Sequence, residues 1–108
     1  MLKSEIEKTL LENGIENPRF EAKELFNAFS GEAVKKAIER RLLGEPLQYI
    51  LGEWEFYSLP FKVGEGVLIP RPETEMLAEI AIKSLPRNGL LLDLCTGSGC
   101  ISVAVLNN

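Results

Sequence analysis

The stretch Leu90-Leu91-Leu92-Asp93-Leu94-Cys95-Thr96-Gly97-Ser98-Gly99-Cys100-Ile101-Ser102-Val103-Ala104-Val105-Leu106 decides the fold. It opens on a nearly all-apolar run of strand length, the composition of a central parallel strand covered on both faces. Two spaced glycines follow, and then a segment that reads as the start of a helix. Strand, glycine loop and helix together make the first unit of a Rossmann-like sheet. In such units the ligand sits at the carboxyl end of the strand. Glycine lets the backbone approach the ligand, and the free N–H groups of the helix N-terminus face it. The same spacing also suits an ordinary strand–turn–helix corner.

The details of the loop narrow the ligand. The dinucleotide fingerprint G-x-G-x-x-G/A is broken, because Ser102 stands where its third glycine or alanine belongs. A phosphate-binding P-loop needs Gly-Lys-Ser/Thr, which is absent. What remains is Asp93-x-x-x-Gly97-x-Gly99, an acid at the strand end before two glycines. A carboxylate there repels pyrophosphate and suits a ligand carrying an ammonium group, such as the methionine part of S-adenosylmethionine. Asp93 could also serve only as a helix cap.

Working outward, residues 1–44 read as three short helices. Ser4-x-x-Glu7 has the form of a capping box, and Leu2, Ile6 and Leu10 share one face. Asn13-Gly14 stops that helix and Asn17-Pro18 starts the next, with Ala22, Leu25, Phe26 and Phe29 as its apolar stripe. Val34, Ile38 and Leu42 align on a third helix, which Gly44 ends. From Glu45 the texture changes. A β-hairpin over about Glu53–Val63 is the economical reading, with Ser58-Leu59-Pro60 as its turn and Trp54, Phe56 and Phe61 as its core. Pro70-Arg71-Pro72 forms a stiff elbow. A further helix then opens at Glu73-Thr74-Glu75, with Met76, Leu77, Ile80, Ala81 and Leu85 as its buried side.

Composition excludes several chemistries. Among 108 residues there is no histidine, so Ser-His and Cys-His catalytic units and histidine-ligated metals are excluded. Twelve basic against sixteen acidic residues leave a formal net charge of −4, which argues against an obligate nucleic-acid partner. No apolar run approaches the roughly 20 residues that span a bilayer. The N-terminus lacks the apolar core of a signal peptide, so a reducing cytoplasm is expected, with no membrane partner. The spacing of Cys95 and Cys100 matches neither a redox pair nor a zinc knuckle, and both read as small apolar residues. No metal site is expected.

Two further stretches carry a resemblance. Asp93-Leu94-Cys95-Thr96-Gly97-Ser98-Gly99 resembles motif I of class I S-adenosylmethionine-dependent methyltransferases. Gly44-Glu45-Pro46-Leu47-Gln48-Tyr49-Ile50-Leu51-Gly52-Glu53 and Leu68-Ile69-Pro70-Arg71-Pro72-Glu73-Thr74-Glu75 resemble the two signature stretches of the HemK/PrmC family. Enzymes of that family methylate the side-chain amide of glutamine in the GGQ motif of peptide chain release factors. The resemblance implies an α/β chain with an all-α N-terminal subdomain. Residues 1–44 would be a helical bundle that docks substrate, and 45–72 a hairpin linker. Residues 73–108 would begin a Rossmann-like methyltransferase domain.

By the same resemblance the cofactor is S-adenosylmethionine and the partner a release factor. Cys95, Thr96, Gly97, Ser98 and Gly99 would wrap the methionine and ribose end, and Asp93 would lie close to the methionine end or order the loop. Arg71, Pro72, Glu73 and Thr74 would form a wall of the same pocket, although Arg71 could instead pair with Glu73 or Glu75. The reaction implied is in-line attack by the amide nitrogen on the sulfonium methyl group, which needs no histidine. The family's Asn-Pro-Pro-Tyr loop is absent, so no catalytic residue is assigned. The chain reads as an N-terminal portion that is inactive alone. A nucleic-acid amino-group methyltransferase and a non-catalytic interaction module are the alternatives. A lone parallel strand is unstable, so Leu90–Leu94 is expected to pair with another chain in self-association, to pack on the helices, or to be disordered.

Overall fold

The structure, a computed structural model, describes residues 1–108. The chain divides into two compact units, residues 1–51 and residues 52–108.

The first unit is all helical: α1 (Lys3–Glu12), α2 (Pro18–Ala28), α3 (Glu32–Leu42) and α4 (Leu47–Leu51). Ile6 and Leu10 are buried on α1, Ala22 and Leu25 on α2, and Val34, Ala37 and Ile38 on α3. Glycine ends two of the helices in the way the sequence predicts. At Gly14 (φ 80°) and Gly44 (φ 100°) the chain turns left-handed. The next residue, Ile15 or Glu45, donates back to Leu10 or Arg40, which satisfies carbonyls left open at a helix end.

Other details differ from expectation. The Ser4–Glu7 capping box does not form. The helix starts two residues earlier, with Leu2 at the N-cap, and Glu5 Oε1 accepts from the Leu2 N–H at 3.3 Å. Leu2, Phe26 and Leu42 are exposed rather than part of the apolar stripes, because the bundle is small and closes over only a narrow face. The buried place beside Ala22 is taken by Glu21, which is matched across the bundle by Arg41. Arg41 Nε lies 2.6 Å from Glu21 Oε1, and its Nη1 donates to the Glu45 carbonyl. Arg40 also pairs with the Glu45 carboxylate. α4 is absent from the sequence reading. Leu47 and Ile50, three apart and both buried, hold this one turn against α2 and α3, so residues 45–51 lie with the helical unit.

The second unit holds β1 (Glu53–Phe56), β2 (Leu59–Lys62), α5 (Thr74–Ser84) and α6 (Cys100–Asn107). The strands pair antiparallel, with Trp54 opposite Phe61 and Phe56 opposite Leu59. The hairpin is the expected one, but its turn is Tyr57-Ser58, both left-handed (φ 52° and 61°). A two-residue turn of this kind matches the twist of the strands. Leu59 and Pro60 therefore belong to β2. Pro60 faces Glu55 at a position between the hydrogen-bonded pairs, where a missing N–H costs nothing. Glu75 Oε2 accepts from the Tyr57 N–H at 2.5 Å and ties the turn to α5.

Alternation puts Trp54, Phe56, Leu59, Phe61 and Val63 on one face. Phe56 (1% exposed) and Phe61 meet edge to face, with ring centres 6.2 Å apart. They form one apolar cluster with Ala78, Cys100 and Ala104. The buried side of α5 is therefore the Ala78 side, and Met76, Leu77 and Ile80 are exposed. Small residues win that face because the aromatic rings need room against the helix backbone.

Residues 90–94 form no strand and no parallel sheet is present, because the hairpin strands pair only with each other. Leu90, Leu92 and Leu94 are 97%, 81% and 77% exposed, so packing on the helices, one of the three outcomes expected for this stretch, does not occur for these leucines. The chain is mostly helical with a two-stranded hairpin, and the Rossmann-like sheet expected from the sequence is not formed within it. No helix is long and apolar enough to cross a membrane.

Three variants test this account. Arg41→Ala leaves the buried Glu21 without its partner and is expected to cost about 1–3 kcal/mol. Replacing both by Leu and Met is expected to cost less. Phe56→Ala is expected to cost about 3 kcal/mol or more. Urea unfolding followed by circular dichroism measures all three.

Candidate functional site

The glycine loop is built from Asp93 to Ser102. Asp93 is its organising group. Its Oδ2 accepts from Thr96 Oγ1 at 2.7 Å, within the loop, and from Ser102 Oγ at 2.8 Å, on the first turn of α6. These two donors, Thr96 first, favour the ionised carboxyl and hold its pKa below the usual carboxylate range. The loop is closed by the Gly99 N–H donating to the Thr96 carbonyl at 2.9 Å. Val103 N–H then donates to the Gly99 carbonyl and begins the helix. Asp93 thus ties loop to helix through side chains, while Gly99 occupies the N-cap itself.

Along the loop, Cys95, Gly97 and Gly99 are left-handed, with φ of 57°, 60° and 82°, and Thr96 and Ser98 between them are not. Alternation of this kind curls backbone N–H groups into a concavity suited to negatively charged or polar groups. Cys95 holds such a conformation without being glycine. Its thiol is exposed, whereas Cys100 is buried, so only Cys100 lies where a small apolar residue is packed. Ser98 Oγ is buried and has no hydrogen-bond partner, which leaves one polar atom of the loop available to a ligand.

Of the residues expected to form the pocket, Asp93, Cys95, Thr96, Gly97, Ser98 and Gly99 lie together in this loop. The elbow lies elsewhere in the chain, before α5. There Thr74 N–H donates to the Arg71 carbonyl and Glu75 N–H to that of Pro72, forming turns into the helix. Arg71 Nε is 3.8 Å from Glu73 Oε2 at the surface, the pairing that the sequence left open. The elbow's polar contacts are therefore internal. Ser102 and Glu75 carry structural roles that sequence reasoning did not assign. For Ser102 a signal existed: it breaks the small-residue position of the dinucleotide fingerprint. No group of three or more Cys, Asp or Glu side chains is placed to hold a metal ion.

No protein-family model matches the chain. Curated proteins do. The chain is 57% identical over 79 residues to the release factor glutamine methyltransferase of Thermodesulfovibrio yellowstonii, a match covering 69% of this chain and 28% of that protein. It is 39% identical over 120 residues to the protein of that name in Fusobacterium nucleatum, covering 91% of this chain and 34% of the relative. The Geobacter sulfurreducens protein of the same name gives 39% over 115 residues, covering 89% and 40%. The chain thus spans between 28% and 40% of the length of these relatives.

These relatives define the class as methyltransferases. Within it the chain belongs to the HemK/PrmC family.

The loop's order depends on an ionised Asp93. Because its pKa is lowered in the folded chain, its contribution is present above the unfolded value and is lost as pH falls through the folded one. The protection of the Gly99 amide against exchange, relative to its intrinsic rate, is expected to fall in that acidic window before the helical unit unfolds. At Cys95, glycine relieves left-handed strain and valine worsens it. Cys95→Gly is expected to stabilise by up to about 1 kcal/mol and Cys95→Val to destabilise by about 1–2 kcal/mol. Thermal unfolding distinguishes the two.

Proposed function

We propose that the polypeptide containing this chain is an S-adenosylmethionine-dependent methyltransferase. Its target is the glutamine side-chain amide in the GGQ motif of a peptide chain release factor. The observation that carries this reading is the 57% identity to a release factor glutamine methyltransferase over most of the chain, a match that goes with the motif I loop. Residues 1–44, with α4 packed on them, serve substrate docking, the hairpin and elbow up to residue 72 the linker, and 73–108 the start of the cofactor domain. The setting is the cytoplasm, where release factors act.

The loop's chemistry fits the cofactor. Asp93 offers a fixed anion, and Ser98 Oγ is a buried polar atom without a partner. When bound, S-adenosylmethionine supplies a sulfonium methyl group open to in-line attack by an amide nitrogen. Asp93 accepts from the ammonium of the methionine part. Thr96, Gly97 and Ser98 bring backbone N–H groups close to the ligand, Gly99 closes the loop beneath it, and Cys95 stands at the loop's start. Arg71, Pro72, Glu73 and Thr74 wall the pocket, the prolines by stiffness and Arg71 by charge. Positioning of this kind lowers the barrier without an acid or base from this chain.

Labelled S-adenosylmethionine, the full polypeptide that the gene encodes and a release factor test the reading. Label is expected on the GGQ glutamine and absent when that glutamine is replaced. Gly97→Val, which forces a branched residue to φ 60°, is expected to lower kcat/KM at least ~10-fold. Label in nucleic acid rather than the release factor would refute the substrate.

A further inference from the structure

Ser102 has no role in the reading above. A serine in the first turns of a helix ordinarily returns its hydrogen bond to the carbonyl four residues back. Here its Oγ donates instead to Asp93, nine residues earlier, at 2.8 Å. Thr96 grips the same Oδ2 at 2.7 Å from inside the loop. Asp93 is thus clamped from both sides of the glycine turn, by one hydroxyl that moves with the loop and one that is fixed to α6. α6 is itself anchored, because Cys100 and Ala104 lie in the apolar cluster with Phe56. Ser102 is therefore the donor that refers the carboxylate to the rigid part of the unit. With alanine there, Asp93 keeps the Thr96 hydroxyl of its own loop and the Ser102 backbone N–H, but loses the side-chain donor that fixes Oδ2 from α6.

Resting on the cofactor reading above, we propose that Ser102 is a positioning residue that holds the Asp93 carboxylate in the orientation that meets the ammonium group of the methionine moiety. It touches Asp93, not the reacting atoms, and it sets affinity for the amino-acid end of the ligand without affecting the nucleoside end. The hydroxyl at this position is a substitute for the small residue of the dinucleotide fingerprint and adds a function that a glycine or alanine lacks.

The test uses the full polypeptide that the gene encodes and two ligands, S-adenosylmethionine and 5′-methylthioadenosine, which lacks the amino-acid part. By calorimetry, Ser102→Ala is expected to weaken S-adenosylmethionine about tenfold and to leave 5′-methylthioadenosine unchanged. Ser102→Thr, which keeps the hydroxyl, is expected to restore affinity. In parallel, carbon-detected NMR is expected to show the Asp93 carboxyl titrating at higher pH in Ser102→Ala. Equal loss for both ligands means a merely structural role and overturns the proposal, as does an unchanged Asp93 titration. If the unaltered polypeptide binds neither ligand, the cofactor reading itself is refuted, a result distinct from either of these.

Discussion

The second unit depends on the burial of two phenylalanine rings against small residues. Phe56 and Phe61 project from one face of the hairpin, and Ala78, Cys100 and Ala104 on two helices leave them room. A larger residue at any of these three positions would hold the hairpin away from the helix backbones. The contact also fixes the start of α6. Cys100 follows Gly99 directly, so the residue that ends the glycine loop is attached to one packed in the core. The geometry of the loop is in this sense inherited from an apolar contact that contains none of its polar atoms.

The first unit is organised by charge as well as by apolar packing. Its helices are short and bury a narrow face, so a single ion pair carries more weight than in a larger domain. Glu21 holds the Arg41 guanidinium above its ordinary pKa, chiefly through their hydrogen bond, so the cation persists at any ordinary pH. Through Arg41 and Arg40 the pair reaches Glu45. Helices α2 and α3 and the Gly44-Glu45-Pro46 signature are thereby joined by one polar network.

Much of this was legible in the sequence where local rules decide. Gly14, Gly44 and Asn17-Pro18 mark helix ends because backbone conformation there needs no partner. The hairpin was legible because polar and apolar residues alternate from Glu53 to Phe56. What failed depended on distant partners. Met76, Leu77 and Ile80 look like a buried stripe, but which side of α5 is covered is set by aromatic rings twenty residues earlier. Leu90–Leu94 has strand composition, yet a strand exists only where a neighbour accepts its hydrogen bonds. α4 was hidden because five residues carry too little periodicity to register. At the loop, the glycine spacing and the acid marked a candidate site, whereas the contact between Ser102 and Asp93 required the fold.

The Phe56 cluster also has a bearing on synthesis. Phe56 is made early, and its partners Cys100 and Ala104 come more than forty residues later. At about 5–20 residues per second on a ribosome, the hairpin waits seconds for the helix that covers it. During that interval its aromatic face is open to other proteins. The order in which the chain emerges thus leaves Phe56 and Phe61 open during synthesis, although both are buried in the finished unit.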